Sequence, residues 1–338
     1  MPSDMSVWQG RSDPEDGDQG LRWHQLIQPA EDANDEGIMI LGFACDEGVA
    51  RNKGRIGAYD APISIKRALA NLAWHHNKPI YDGGDIRCDD GNLSLAQYRL
   101  SEDVCQSLRQ RHRLIVLGGG HEVAWGTFQG IGNYLLQKQQ PEPLTAQEYT
   151  CHPPTVGIIN FDAHFDLRNP PVQTQVEQGS SGTPFHQIAR FCELQNWPFH
   201  YACLGISRAS NTQALFSKAD QLGVLYVEDN ELNASDIAAV SEKLSLFIQQ
   251  SDYLYLTIDM DVFPASAAPG VSAPATYGVP PTVVDQLLHI VLDAKSQSGE
   301  SKILVADIAE YNPRFDIDGQ TARLAARLVW TIARAFSR

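Results

Sequence analysis

The sequence predicts an α/β protein built on an open parallel sheet covered by helices on both faces. Two observations predict it. Short apolar runs alternate with longer helical patterns along nearly the whole chain, which is how successive βα units read. The apolar runs are also near-continuous rather than alternating, as strands buried on both faces are.

Taken in order, the strands are expected at IMILGFA (38–44), LIVLGG (114–119), TVGIINF (155–161), YACLGI (201–206), GVLYV (223–227), YLYLTID (253–259) and KILVADI (302–308). Helices are expected over 61–72, 94–111, 122–138, 183–195, 212–221, 234–250, 281–296 and 318–337. Asp60 or Pro62, Ser94, Thr183, Ser235 and Thr282 stand where helix starts want them. The segments 139–154 and 264–281 read as loops. Residues 1–36 are polar and acidic and form an arm, which Trp8 and Trp23 can pin down, ahead of one domain over 37–338.

The chain has 338 residues, 43% of them hydrophobic, which is enough for a sizeable core. Its formal net charge is −15. Nucleic acid and anionic membrane are poor partners for such a chain, because both need a basic footprint. An anionic substrate must instead be met by a few placed arginines. The six cysteines are scattered, with no CxxC pair. MPSDMSVWQGR carries no secretory pattern, and no run approaches the roughly 18 apolar residues of a membrane span. A cytoplasmic protein with reduced thiols is expected.

Three of the strands end in polar clusters that are odd as structure. LIVLGGGHEVAWG places His121 just after a strand and a triple glycine. NFDAHFDLR places Asp162, His164 and Asp166 at every second position, which in an extended chain means one face. YLYLTIDMDVF repeats the spacing with Asp259 and Asp261. Ligands of an open parallel sheet bind beyond the carboxyl ends of its strands, so these six side chains can converge on one rim. Four carboxylates and two imidazoles are too much negative charge for one cation and about right for two. Such a donor set suits Mn²⁺ better than Zn²⁺.

LGGGHE, FDAHFD, SSGTPFHQI, TIDMDVFPASAAPGVSAP and ADIAEYNPRFD together resemble the signature set of the ureohydrolase family of arginases, agmatinases and formiminoglutamases, in order from about residue 37 to 337. WQGRSDPEDG, LRWHQ and GVARNKGRIGA resemble the formiminoglutamases within it. The resemblance implies a three-layer α/β/α fold with a central, mostly parallel eight-stranded sheet. It also implies two Mn²⁺ per subunit, bridged by Asp162 and Asp259. His121 and Asp166 would complete one site, His164 and Asp261 the other. Family members commonly form trimers or hexamers, so a homo-oligomer is admitted.

The implied reaction is hydrolysis of the C–N bond of N-formimino-L-glutamate to L-glutamate and formamide, a step of histidine degradation. Glu310, in AEYNP, matches the family's carboxylate that holds the guanidinium or formimidoyl nitrogens. His186 stands one residue later than the family's proton-shuttling histidine, leaving Asp166 or a water as the other candidates. Arg55 and Arg168 are the cations expected to meet the substrate carboxylates, with Asn52 and Ser181 supplementing them. Other readings are a same-fold amidinohydrolase for arginine, agmatine or a guanidino acid, and a non-catalytic metal-binding regulator.

Overall fold

The structure, a computed structural model, describes residues 3–139, 152–173 and 176–338. The strands are β1 (Gln28–Pro29), β2 (Ile38–Ala44), β3 (Ile80–Arg87), β4 (Arg113–Leu117), β5 (Val156–Phe161), β6 (Val172–Gln173), β7 (Val176–Glu177), β8 (His200–Ile206), β9 (Leu225–Glu228), β10 (Tyr253–Asp259) and β11 (Ile303–Ala309). The helices are α1 (Trp23–Leu26), α2 (Glu47–Arg51), α3 (Ala61–Ala70), α4 (Leu93–Arg109), α5 (Val123–Gln139), α6 (Pro184–Gln195), α7 (Gln213–Gln221), α8 (Ile237–Gln249), α9 (Pro281–Leu292) and α10 (Gln320–Phe336).

Nine strands form one parallel sheet in the order β1-β3-β2-β4-β11-β10-β5-β8-β9, while β6 and β7 make a separate antiparallel ribbon. Alternate strand residues face opposite layers. Ile38, Ile40, Ile115, Leu117, Ile159 and Ile258 pack under α3, α8, α9 and α10. Met39, Leu41, Leu114, Val116, Ile158 and Val305 pack under α4, α5, α6 and α7. The result is the three-layer α/β/α arrangement, with burial of each large aliphatic side chain contributing roughly 1.5–3 kcal/mol.

All seven expected strands are present. The sheet has nine rather than eight because β3 and the two-residue β1 join its edge. β3 was not legible: IYDGGDIR holds two acids and two glycines, and it becomes a strand through tertiary partners. Asp82 is fully buried, its carboxylate 2.8 Å from Lys66 Nζ, and it accepts the Trp8 Nε1–H at 2.7 Å. Trp23 is also fully buried, so both tryptophans of the amino-terminal segment lie in the core.

Several helix starts differ from expectation. Asn92, not Ser94, caps α4 by accepting the Leu95 N–H at 3.1 Å. The cap of α8 is Asp236 rather than Ser235, and α9 begins after Pro280, with Thr282 inside it. The helices themselves lie where the periodicity puts them, and α9 stops at Leu292, four residues early. No helix or strand forms over 264–280, the expected loop ending one residue early where α9 begins, and most of the 139–154 loop lies outside the described residues. None of the described helices is long and apolar enough to cross a membrane.

Candidate metal centre

Six neighbouring strands, β2, β4, β11, β10, β5 and β8, turn their carboxyl ends to one rim, where the loops gather the polar residues. His121 follows β4 after Gly118–Gly120. A Cβ on Gly119 would stand 1.7 Å from the Cys45 carbonyl oxygen. The glycine is therefore what lets the end of β2 cross against this loop, and Gly120 N–H donates to that oxygen at 3.0 Å.

His121 Nδ1 lies 3.0 Å from Asp162 Oδ2, 3.0 Å from Asp166 Oδ2 and 3.1 Å from Asp259 Oδ2. It makes a hydrogen bond to none of them, although it is fully buried. Its other nitrogen, Nε2, is 3.0 Å from Thr257 Oγ1. A nitrogen and three carboxylate oxygens converging with no hydrogen bond from the nitrogen to any of them is the donor arrangement of a cation site. His164, Asp261 and Asp162 form a second such group, with His164 Nδ1 3.0 Å from Asp261 Oδ2 and 3.6 Å from Asp162 Oδ1. Asp162 belongs to both groups, one carboxylate oxygen toward each imidazole. These oxygen-rich donors fit hard divalent ions such as Mn²⁺.

The electrostatics express the same need for positive charge. Burial, with the charges of Asp261 and Asp162, pushes Asp259 well above the ordinary carboxylate range. Burial and Asp162 push Asp166 up to about 6. Burial would favour neutral imidazole at His121, but the three carboxylates overrule it and raise its pKa well above normal. Two residues here are also held in the left-handed region, Asp166 at φ 47° and Glu310 at φ 62°. Such strain costs on the order of 1–3 kcal/mol each and collects at functional sites.

A cavity of about 310 Å³ opens from these groups. It is lined by Asn52, Arg55, His164, Asp166, Arg168, Ser181, Asp259, Asp261 and Glu310, together with Ser210, Asn211 and Ser272. Asn52 Nδ2 donates to Ser181 Oγ at 3.2 Å. The Arg55 guanidinium donates to the carbonyls of Val271 and Ser272 and stacks 4.0 Å from the Phe315 ring centroid. Arg168 is exposed at the cavity, and its guanidinium has no hydrogen bond or ion pair among the described residues. Burial, with the nearby Glu122 charge, raises the Glu310 carboxyl well above its ordinary range.

His186 is placed differently from the others. Its Nδ1 is 2.7 Å from Lys218 Nζ, and it is not among the residues that line the cavity. Lys218 also donates to Leu167 O at 2.7 Å and Asn169 Oδ1 at 2.6 Å.

Sequence reasoning missed the residues that support the rim from below. Asn160 Nδ2 donates to Asp162 Oδ2 at 2.9 Å and to the Tyr201 hydroxyl at 3.0 Å. Asn211 accepts the Phe165 N–H at 3.1 Å and donates to Ala163 O at 2.9 Å, fixing the loop that carries His164. Glu122 is fully buried and accepts the Gly48 N–H at 2.9 Å. For Asn160 the available signal was a polar residue inside the otherwise apolar TVGIINF, whereas Glu122 and Asn211 lie in loops that carry no such signal.

Fold and site together define a class: α/β proteins with a double carboxylate–imidazole cage at the carboxyl rim of a parallel sheet, opening into a cavity. The chain belongs to the arginase family, whose family model matches residues 36–334. It is 67% identical to the formimidoylglutamase of Photobacterium profundum over 98% of this chain and 95% of that protein. It is 60% identical to the formimidoylglutamase of Aliivibrio fischeri over 97% and 94% of the two chains. Its fold matches the crystal structure of formimidoylglutamase from Bacillus subtilis with TM-score 0.75 at 22% identity, covering 92% of this chain and 90% of that one. It also matches Trypanosoma cruzi formiminoglutamase with Mn²⁺, with TM-score 0.73 at 23% identity over 90% and 96%.

Proposed function

We propose that this chain is a binuclear manganese hydrolase that cleaves N-formimino-L-glutamate to L-glutamate and formamide. The observation that carries the metal assignment is the convergence of His121 Nδ1 and three carboxylate oxygens, with Asp162 shared by a second group. His121, Asp162, Asp166 and Asp259 would hold one ion, and Asp162, His164 and Asp261 the other; Asp259, expected to serve both, groups with the first. When bound, the pair supplies a water acidic enough to serve as nucleophile near neutral pH. The substrate assignment is supported by formimidoylglutamase relatives at 67% and 60% identity and by the cations beside the cage.

The chain's own residues do the rest. Glu310 faces the cavity and orients the formimidoyl nitrogens through its carboxylate. Arg168, exposed on the cavity, meets a substrate carboxylate, and Asn52 and Ser181 add hydrogen bonds beside it. Arg55, already bound to two carbonyls, holds the 271–272 loop against the site and adds positive potential. Asp166 or a water gives the proton to the departing amine, since His186 is engaged with Lys218 outside the cavity.

The test is a substrate panel on one manganese-loaded preparation, following glutamate release from N-formimino-L-glutamate and urea release from L-arginine and agmatine. Brisk glutamate release with negligible urea is expected. Brisk urea release without turnover of the formimino substrate would move the assignment to another amidinohydrolase.

A further inference from the structure

Asp307 is the one acid inside strand β11, fully buried, and the cage does not use it. A carboxylate in the middle of ILVADIA is costly to bury unless something demands it. In the sheet register Asp307 stands beside Thr257 of β10, which stands beside Asn160 of β5. These three form a polar row one pleat beneath Asp259 and Asp162. The row therefore underlies the cage.

Thr257 Oγ1 is 3.0 Å from His121 Nε2. With His121 Nδ1 turned to the carboxylates, Nε2 carries the hydrogen and donates it to Thr257 Oγ1. The Thr257 hydroxyl hydrogen then needs an acceptor of its own. The Tyr255 hydroxyl donates to Asp307 Oδ2, while Oδ1 is buried and has no hydrogen-bond partner among the described residues. The register sets this carboxyl beside Thr257, and the Thr257 and Thr127 hydroxyls both act on it.

We propose that Asp307, acting through Thr257, is a positioning residue that fixes the tautomer and ring orientation of His121 so that Nδ1 is presented to a metal ion. This rests on the two-ion reading above and goes beyond it by assigning the relay that supports one ligand. Partners of this kind behind a metal-bound histidine typically change metal affinity about 10–100-fold when removed. Asp307 touches neither substrate nor metal.

The experiment is a Mn²⁺ titration of the metal-free full-length protein, followed by electron paramagnetic resonance, with far-UV circular dichroism to verify folding. Wild-type protein should bind two ions; failure to bind any overturns the two-ion reading itself, separately from this relay. Thr257→Val keeps the side-chain shape and removes the acceptor, so one of the two ions should bind about 10–100-fold more weakly. Thr257→Ser restores the hydroxyl and should bind both ions within about threefold of wild type. Asp307→Asn should weaken the same ion as Thr257→Val. A folded Thr257→Val that binds both ions like wild type overturns the proposal, as does a Thr257→Ser as weak as Thr257→Val. If Thr257→Val does not fold, unchanged manganese affinity in Asp307→Asn overturns it.

Discussion

Glu310 holds His121 by its backbone. Its Oε1 accepts the His121 N–H at 2.9 Å, and its own N–H donates to Gly119 O at 2.8 Å. The residue proposed to orient the substrate and a residue proposed to ligate metal are thus locked together across 189 positions of sequence. This explains the φ of 62° at Glu310: the left-handed turn brings the carboxylate back over the glycine loop while leaving it on the cavity.

Glu310→Gln retains an oxygen for the His121 N–H and removes the charge that holds the formimidoyl nitrogens. Turnover should fall by about 10²–10³-fold, the scale of losing one preorganised electrostatic contact. Manganese content should stay at the wild-type level, measured by atomic absorption. Full turnover in this variant would remove Glu310 from the reaction.

Asp162 belongs to both donor groups and His164 to one. Asp162→Ala should therefore abolish binding of both ions, and His164→Ala should leave one of them in place. Metal content per chain and activity check this, with circular dichroism reporting the fold. Neither variant should unfold the protein, because neither side chain belongs to the two apolar layers that hold the helices on the sheet. Two bound ions in Asp162→Ala would contradict the cage.

The two arginines should separate in their effects. Arg168→Ala removes a guanidinium without a partner among the described residues, so KM for the dicarboxylate substrate should rise about 10–100-fold, the worth of one charge-assisted hydrogen-bonded contact, with an unchanged melting temperature. Arg55→Ala releases two carbonyls and the Phe315 ring, so it should also cost about 1–3 kcal/mol of stability. Kinetics and thermal denaturation on the same preparations distinguish them. A KM change in Arg55→Ala with none in Arg168→Ala would reverse the assignment.

Metal-free protein should lose stability as pH rises. A carboxyl whose folded pKa exceeds its unfolded value contributes stability below the unfolded pKa and loses it through the folded one. For Asp166, raised by burial and by Asp162 to about 6, the window runs from about pH 4 to about pH 6. His121, raised by its carboxylates in spite of burial, acts with the same sign above its ordinary value. Asp162 is lowered, with His121 and His164 outweighing burial, so its opposite contribution is lost only at pH below the ordinary Asp range. The gap in Tm between manganese-loaded and metal-free protein should widen from pH 5 to 7 by calorimetry. A gap that narrows would mean the carboxylates are not crowded in the folded state.

Much of this protein was determined by the sequence read alone. Near-continuous apolar runs of strand length, set between helical patterns, mark strands buried on both faces, so seven strands and eight helices followed from period and composition. Asp162, His164 and Asp166 announced a shared face through their spacing, as did Asp259 and Asp261. What the chain could not disclose by itself was whatever depends on partners distant in sequence. IYDGGDIR becomes a strand because Lys66 and Trp8 satisfy Asp82. Arg55 and Arg168 look alike as letters, and only the fold binds one to carbonyls while leaving the other open. Asp307 lay in plain view inside KILVADI, but its proximity to Thr257 and, through it, to His121 exists only once parallel strands are in register. Local periodicity is written along the chain, whereas the pairing of a buried charge is decided by which strand lies beside it.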